Sequence, residues 1–202
     1  MNIRLIAAAL ALSLPAAAET YQIDTSHSVA AFSVRHMLVS NVRGELGPIS
    51  GTVTYDRADP ANSTVEAVID VKGVTTRDEK RDGHLKGPDF FDVTRFPEAK
   101  FKSTKVEKDG EKLKVTGNLT LHGVTRAVVL SVDVPPAEVG MKAWGVLKTG
   151  TAATTKLNRK EFGVSFGALT DSGGAVVGDE VTVQLELELN RPDPAAKPHA
   201  SK

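Results

Sequence analysis

Five histidines invite a metal or catalytic reading of this 202-residue sequence: His27, His36, His84, His122 and His199. None stands at the paired spacing of a zinc motif. With no cysteine in the chain, a site would need histidines and carboxylates converging from distant segments. No metal and no cofactor is therefore expected. Asp24, His27 and Ser28 lie close enough to suggest a hydrolase triad, but triads are defined by geometry, and there is no Gly-x-Ser-x-Gly elbow. A turn at Asp24-Thr25-Ser26, feeding a strand, accounts for the same residues. Gly163-Val164-Ser165-Phe166-Gly167 lacks the lysine and the strand-to-helix setting of a phosphate loop. Nothing in these residues demands an enzyme.

The elements that must position such residues read almost entirely as strands. Apolar side chains recur at every second position in Ser28–His36, Ile49–Tyr55, Val65–Val71, Leu113–Leu121, Val128–Val134, Ala153–Leu157 and Val181–Leu189. Phe101–Val106 and Ala143–Thr149 are weaker runs, and eight or nine strands result. Turn residues separate them at Arg57-Ala58-Asp59-Pro60, Lys108-Asp109-Gly110, His122-Gly123 and Ser172-Gly173-Gly174. Asp109-Gly110 is expected to occupy a hairpin turn whose two central residues both need positive φ. Short connections make neighbours antiparallel, which favours a sandwich or a closed barrel. Alternation does not choose between them. Polar outward positions spread over many strands (Glu66, Asp70, Lys112, Lys114, Thr116, Thr120, Gln184, Glu186, Glu188) fit an all-β antiparallel barrel of about eight strands with an apolar interior.

One stretch interrupts the strands. In Thr75–Phe101, Thr76 with Glu79 matches a capping box and predicts a short helix from Arg77 to about Asp82, stopped by Gly83. Pro88 stands where a second helical turn can start, carrying Phe90 and Phe91. This segment is either a lid over the β-structure or a capping helix with its aromatics in the core.

Residues 1–18 carry a basic start, an apolar run from Leu5 to Leu14 and an Ala16-Ala17-Ala18 site, the pattern of a cleaved signal peptide. The run is shorter than the roughly 20 residues that span a bilayer, and no integral membrane segment is expected elsewhere. Export, with periplasmic localisation, follows as an expectation. Without cysteines, stability must come from a core. Loss of Arg4 leaves 24 basic against 25 acidic side chains, a balance that argues against nucleic acid and polybasic membrane attachment. Residues 19–190 form one domain, and 191–202, rich in proline and small polar residues, reads as a disordered tail. Ala30, Gly51, Ala67, Gly117 and Ala153 are small among the inward residues. They leave room for a ligand, or else match taper and sheet curvature.

Taken together, Asp24-x-x-His27-Ser28 with Phe32 and His36, Gly44, Arg81-Asp82-x-His84-Leu85, Asp89-Phe90-Phe91-Asp92, Phe96-Pro97-x-x-x-Phe101, Gly117-x-Leu119-Thr120-Leu121-x-Gly123-Val124-Thr125 and Arg159-x-x-Phe162-Gly163 resemble the YceI-like family, in order, from Tyr21 to about Asn190. The resemblance implies an extended lipocalin-like barrel that holds a polyisoprenoid, isoprenoid quinone or fatty-acid-like lipid. It also implies a periplasmic setting and often a homodimer. The chain departs from the family pattern at Leu46, where phenylalanine is frequent.

An acyl or prenyl chain costs about 0.8 kcal/mol per methylene left in water, so a carrier must enclose the tail. Phe32, Val34, Leu119, Leu121, Leu185 and Leu187 are expected to do so, with Phe90 and Phe91 near the opening. His36, Arg81, His84 and Arg159 are candidates for the polar head. Each has a plainer alternative as a rim contact, Arg81 with Asp78 or Asp82. The main reading is thus a non-catalytic carrier. The alternative is a hydrolase or isomerase using His27 or His84 as general base on a lipid-like substrate in the same interior. A protein-docking module would need an apolar patch outside the barrel, against which the outward polar residues speak.

Overall fold

The structure is a computed structural model and describes residues 18–141 and 144–196. The expected signal peptide, apart from Ala18, and residues 197–202 of the expected tail lie outside the described residues. The strands are β1 (Glu19–Ile23), β2 (Val29–His36), β3 (Ser40–Glu45), β4 (Ile49–Tyr55), β5 (Thr64–Asp70), β6 (Glu98–Asp109), β7 (Lys112–Leu121), β8 (Val124–Asp133), β9 (Val139–Met141), β10 (Val146–Asn158) and β11 (Val177–Pro192). One helix, α1 (Glu79–Lys86), lies between β5 and β6.

Eight strands close an antiparallel ring in the order β1-β4-β5-β6-β7-β8-β10-β11, with β11 returning to β1. A closed ring leaves no free ladder among its members. The remaining three strands extend the wall. β2 continues the line of β1 along β11, which pairs with β1 through Leu189 and Asn190 and with β2 from Val177 to Glu186. β3 pairs with β2, and β9 with β10. Two seams are thin. β8 meets β10 at only two residue pairs, Ala153 with Val132 and Thr154 with Ser131, supplemented by Thr151 and Thr155 hydroxyls donating to the Asp133 and Val129 carbonyls. On its far side β3 is tied only by a bridge from Glu45 to Thr75. α1 and the chain after it cross that gap.

The alternation places strands correctly, with three additions and one merger. β1, only five residues long, and β3 and β9, which carry little apolar periodicity, are not among the expected runs, and Ala143–Thr149 and Ala153–Leu157 belong largely to one strand, β10. β11 runs two residues into the expected tail, because Arg191 is held by Glu138 and Glu19. The hairpin turns also differ in detail. Between β6 and β7 the central residues are Gly110 and Glu111, and only Gly110 has positive φ (60°). Both central residues are left-handed instead at His122 and Gly123, between β7 and β8 (φ 50° and 74°).

The helix is displaced from its expected place. Asp78, not Thr76, caps it, accepting from the Arg81 N–H at 2.9 Å, and α1 continues through Gly83 to a cap at Gly87. Thr76 is diverted because its hydroxyl and N–H both donate to Asp82, at 2.5 and 2.7 Å. After Pro88 the chain makes hydrogen-bonded turns rather than a second helix, with the Phe90 N–H donating to the Gly87 carbonyl.

At the end of the ring away from α1, Tyr21, Ile23, Ile49, Val53, Tyr55, Val106, Leu113, Val115 and Leu189 form a solid core. Tyr21 donates to Glu138 at 2.7 Å and Arg191 grips the same carboxylate from Nε and an Nη, at 2.5 and 2.8 Å. Arg57 donates to the Pro135 and Pro136 carbonyls close by. Burial and the Glu138 hydrogen bond push the Tyr21 phenol up to about 12. The Arg191 hydrogen bonds hold Glu138 below the usual carboxylate range, against the burial that opposes them.

Candidate functional site

The half of the barrel under α1 is hollow. A cavity of about 350 Å³ lies between β2, β3, β5 to β8, β10, β11 and the helix, within the range typical of small-molecule sites. Phe32, Val34, Leu119, Leu121 and Leu185 line it as expected from their alternation, and Phe90 and Phe91 close it from the turn after α1. Leu187 does not line the cavity; one turn of the pleat further along β11, it packs against the solid core. The polar lining residues are Arg35, His36, Arg81, His84, Thr155 and Arg159, and among the described residues no acid lines the cavity.

The small residues do not make the hollow. None of Ala30, Gly51, Ala67, Gly117 or Ala153 borders it. A Cβ on Gly117 would stand 2.4 Å from the Phe101 ring, and one on Gly44 would stand 2.7 Å from the Phe32 ring. Glycine there lets two aromatic rings lie flat on the wall, and both rings line the cavity. The hollow lies instead where the inward side chains of the opposing strands do not meet one another.

The four head-group candidates divide by what their donors already do. Arg159 is 6% exposed, and its guanidinium donates to the carbonyls of Val164, Val177 and Gly178 and to Asp179. It acts as a clamp that fixes the start of β11 against the turn after β10. Phe162, 1% exposed, and Gly163, at φ 77°, complete that turn. The Arg159-x-x-Phe162-Gly163 motif is thus accounted for by packing. Arg81 bonds neither Asp78 nor Asp82 through its guanidinium; Nε donates to the Thr76 hydroxyl at 2.7 Å and an Nη to its carbonyl at 3.0 Å. His84 meets Asp89 at 2.9 Å and stands edge-on to Phe90 and Phe166, 4.9 and 5.1 Å between ring centres. His36 is half-buried at the end of β2, beside the exposed Arg35. Arg81, His84 and His36 remain at the α1 end with the cavity between them.

Phe166 was missed by sequence reasoning. It stacks on Phe90 at 4.9 Å and belongs to a second alternating run, Phe162, Val164, Phe166, whose members all line the cavity. Viewing Gly163–Gly167 only as a failed phosphate loop hid that signal. His27 lies on the outside at the β1–β2 turn, with Nδ1 3.0 Å from Asp24, and Ser28 accepts the Glu188 N–H, so the suggested triad does not assemble. The Asp24, His27 and Glu188 cluster already holds the Lys148 ammonium.

α1 has no buried residue. Besides the Arg81 bonds to Thr76 and the His84 contact with Phe166, it is held by Asp82, which accepts from Thr75 Oγ1 at 2.9 Å as well as from Thr76. Thr75 is in turn bridged to Glu45 of β3. Burial works to raise the Asp82 pKa, but the bonds from Thr76 and Thr75 outweigh it and hold the carboxyl below its ordinary range. A short helix with no buried residue, attached by a few polar bonds and by the His84 and Leu85 side chains, belongs among the easily opened parts of a fold.

A closed antiparallel barrel, solid at one end and hollow and apolar at the other beneath a helical lid, is a lipocalin-like binding protein. The YceI-like domain matches residues 21–189, and the chain belongs to the YceI-like family. It is 35% identical to protein YceI of Salmonella newport over 173 residues, 85% of this chain and 87% of that protein. Burkholderia cenocepacia BcnA superposes with a TM-score of 0.70 at 26% identity, covering 82% of this chain and 98% of that one. A polyisoprenoid binding domain from Saccharophagus degradans shares the fold at 18% identity, with a TM-score of 0.59, over 85% of this chain and 98% of its own. Among the described residues no helix is long and apolar enough to cross a membrane.

Proposed function

We propose that the protein is an exported, non-catalytic carrier of one amphiphilic lipid, an isoprenoid or acyl chain, with its tail in the cavity and its head toward Arg81, His84 and His36. The observation that carries this reading is an apolar hollow of about 350 Å³ whose polar groups are basic or neutral and gathered largely at one end. That volume holds roughly a dozen water-sized groups, so it suits a chain of moderate length. Support for an isoprenoid tail comes from the fold shared with the Saccharophagus domain named for binding one. The basic leader pattern in residues 1–18 supports export to the periplasm, and homodimerisation follows as a family expectation.

Protein purified without detergent and extracted into organic solvent should yield a lipid by mass spectrometry in near-stoichiometric amount. Leu119→Trp, which fills the cavity from β7, should abolish its recovery while the fold survives. An empty parent protein that also takes up no acyl or prenyl probe would overturn the proposal. Leu46 lines the cavity, so Leu46→Phe should shorten the preferred chain without abolishing binding.

A further inference from the structure

The β2–β3 hairpin ends in three consecutive exposed apolar residues, Met37, Leu38 and Val39, at 46%, 63% and 76% exposure. Met37 and Leu38 are both left-handed (φ 48° and 63°), and the Val39 N–H closes the turn on the His36 carbonyl at 3.0 Å. Glycine or asparagine ordinarily fills such positions, because a Cβ there crowds the following carbonyl. Two large apolar side chains are thus held outward by a backbone that disfavours them. Arg35 fixes the turn, donating to the Leu38 carbonyl at 2.6 Å. A second tip lies alongside. Met37 N–H donates to the Val176 carbonyl, and the small hairpin closed by the Leu169–Ala175 bridge presents Leu169 at 68% exposure and one acid, Asp171.

Both tips adjoin the cavity, since Arg35, His36 and Val176 at their bases are lining residues. The hairpin carries Arg35 and Arg43, and its one acid, Glu45, stands at the end of β3 away from the tip. We infer that these tips insert into the surface of a phospholipid bilayer, with Arg35 and Arg43 at the level of the phosphates, and present the hollow end of the barrel to the membrane. The shape favours a bilayer over a protein: two narrow points fall far short of the roughly 800 Å² per partner that a specific protein interface buries, while a few apolar side chains at headgroup depth suffice for interfacial attachment. This inference rests on the carrier reading for its purpose and on the exposed tips for its content.

The absence of cysteine allows a single polarity-sensitive dye at Leu38→Cys or, at the opposite end of the barrel, at Glu111→Cys. With vesicles of phosphatidylcholine mixed with phosphatidylglycerol, emission from position 38 should shift to shorter wavelength and that from 111 should not. Leu38→Ser combined with Val39→Ser should lower vesicle partition about tenfold or more, while uptake of a fluorescent acyl probe from vesicle-free solution is unchanged. A silent dye at position 38, or equal partition of the parent and the doubly substituted protein, overturns the inference. A parent that partitions through its tips but takes up no acyl probe upholds it and sinks the carrier reading instead.

Discussion

At the closed end of the barrel Tyr21, Tyr55, Ile49 and Leu189 point inward and meet one another; at the α1 end Phe32, Leu119, Leu157 and Leu185 point inward by the same alternation and meet space. The strands are continuous between the two. The difference does not follow the ladders: β10 and β11 are laddered from Val146 to Asn158 through both halves, and two-pair seams occur at the solid end, between β1 and β11, as well as between β8 and β10. It lies in whether opposing inward side chains reach one another, and the closed end, where they do, supplies the packed core. Binding and folding are thereby assigned to different halves of one sheet.

That division makes unequal demands on similar side chains. Leu189→Ala, at a position with no exposure, should cost about 3–4 kcal/mol in urea denaturation, because the cavity it creates has no room to collapse. Leu185→Ala, four residues earlier on β11 and on the hollow side, should cost about half as much, since its side chain already borders space. Equal costs would break the contrast. Glu138→Ala should follow at about 2–3 kcal/mol, as it strands Arg191 and the Tyr21 hydroxyl together. Tyr21→Phe should cost only about 1 kcal/mol, the usual net worth of a single hydrogen bond.

Acid and base should also act on different ends. The Tyr21 phenol is raised in the folded state, so the stability it contributes is complete below about pH 10, its ordinary value, and is lost as pH rises toward about 12. Tyrosinate absorbance with parallel circular dichroism would follow this, and ionisation of Tyr21 at the ordinary value, identified by comparison with Tyr21→Phe, would refute it. Asp82 is lowered in the folded state, so its contribution is present above the ordinary carboxylate value of about 4 and disappears as pH falls through the lower folded one. Amide exchange in α1 should then rise below pH 4 while the core amides stay protected. The smallest effect on global stability belongs to Asp82→Ala, which should leave the melting temperature nearly unchanged yet speed α1 exchange and lipid release about tenfold.

Much of the site could be read from residue order. Phe32, Val34, Leu119, Leu121 and Leu185 reach the cavity because a strand's period of two is a local property. Leu187 obeys the same rule and still misses the cavity, because depth along the barrel is not encoded in the period. Arg159 was a head-group candidate until the turn after β10 and the start of β11 brought three carbonyls to its guanidinium. Gly117 looked like empty volume until the Phe101 ring occupied it. Thr76 looked like a helix cap until Asp82 took its hydrogen bonds.

By itself the sequence determined which side chains turn inward, where the chain bends, and that one helix interrupts the strands, since each of these depends on neighbours a few residues away. Whether inward side chains touch or enclose a space was decided only in three dimensions. It depends on the distance between walls contributed by segments more than a hundred residues apart, which no local pattern specifies.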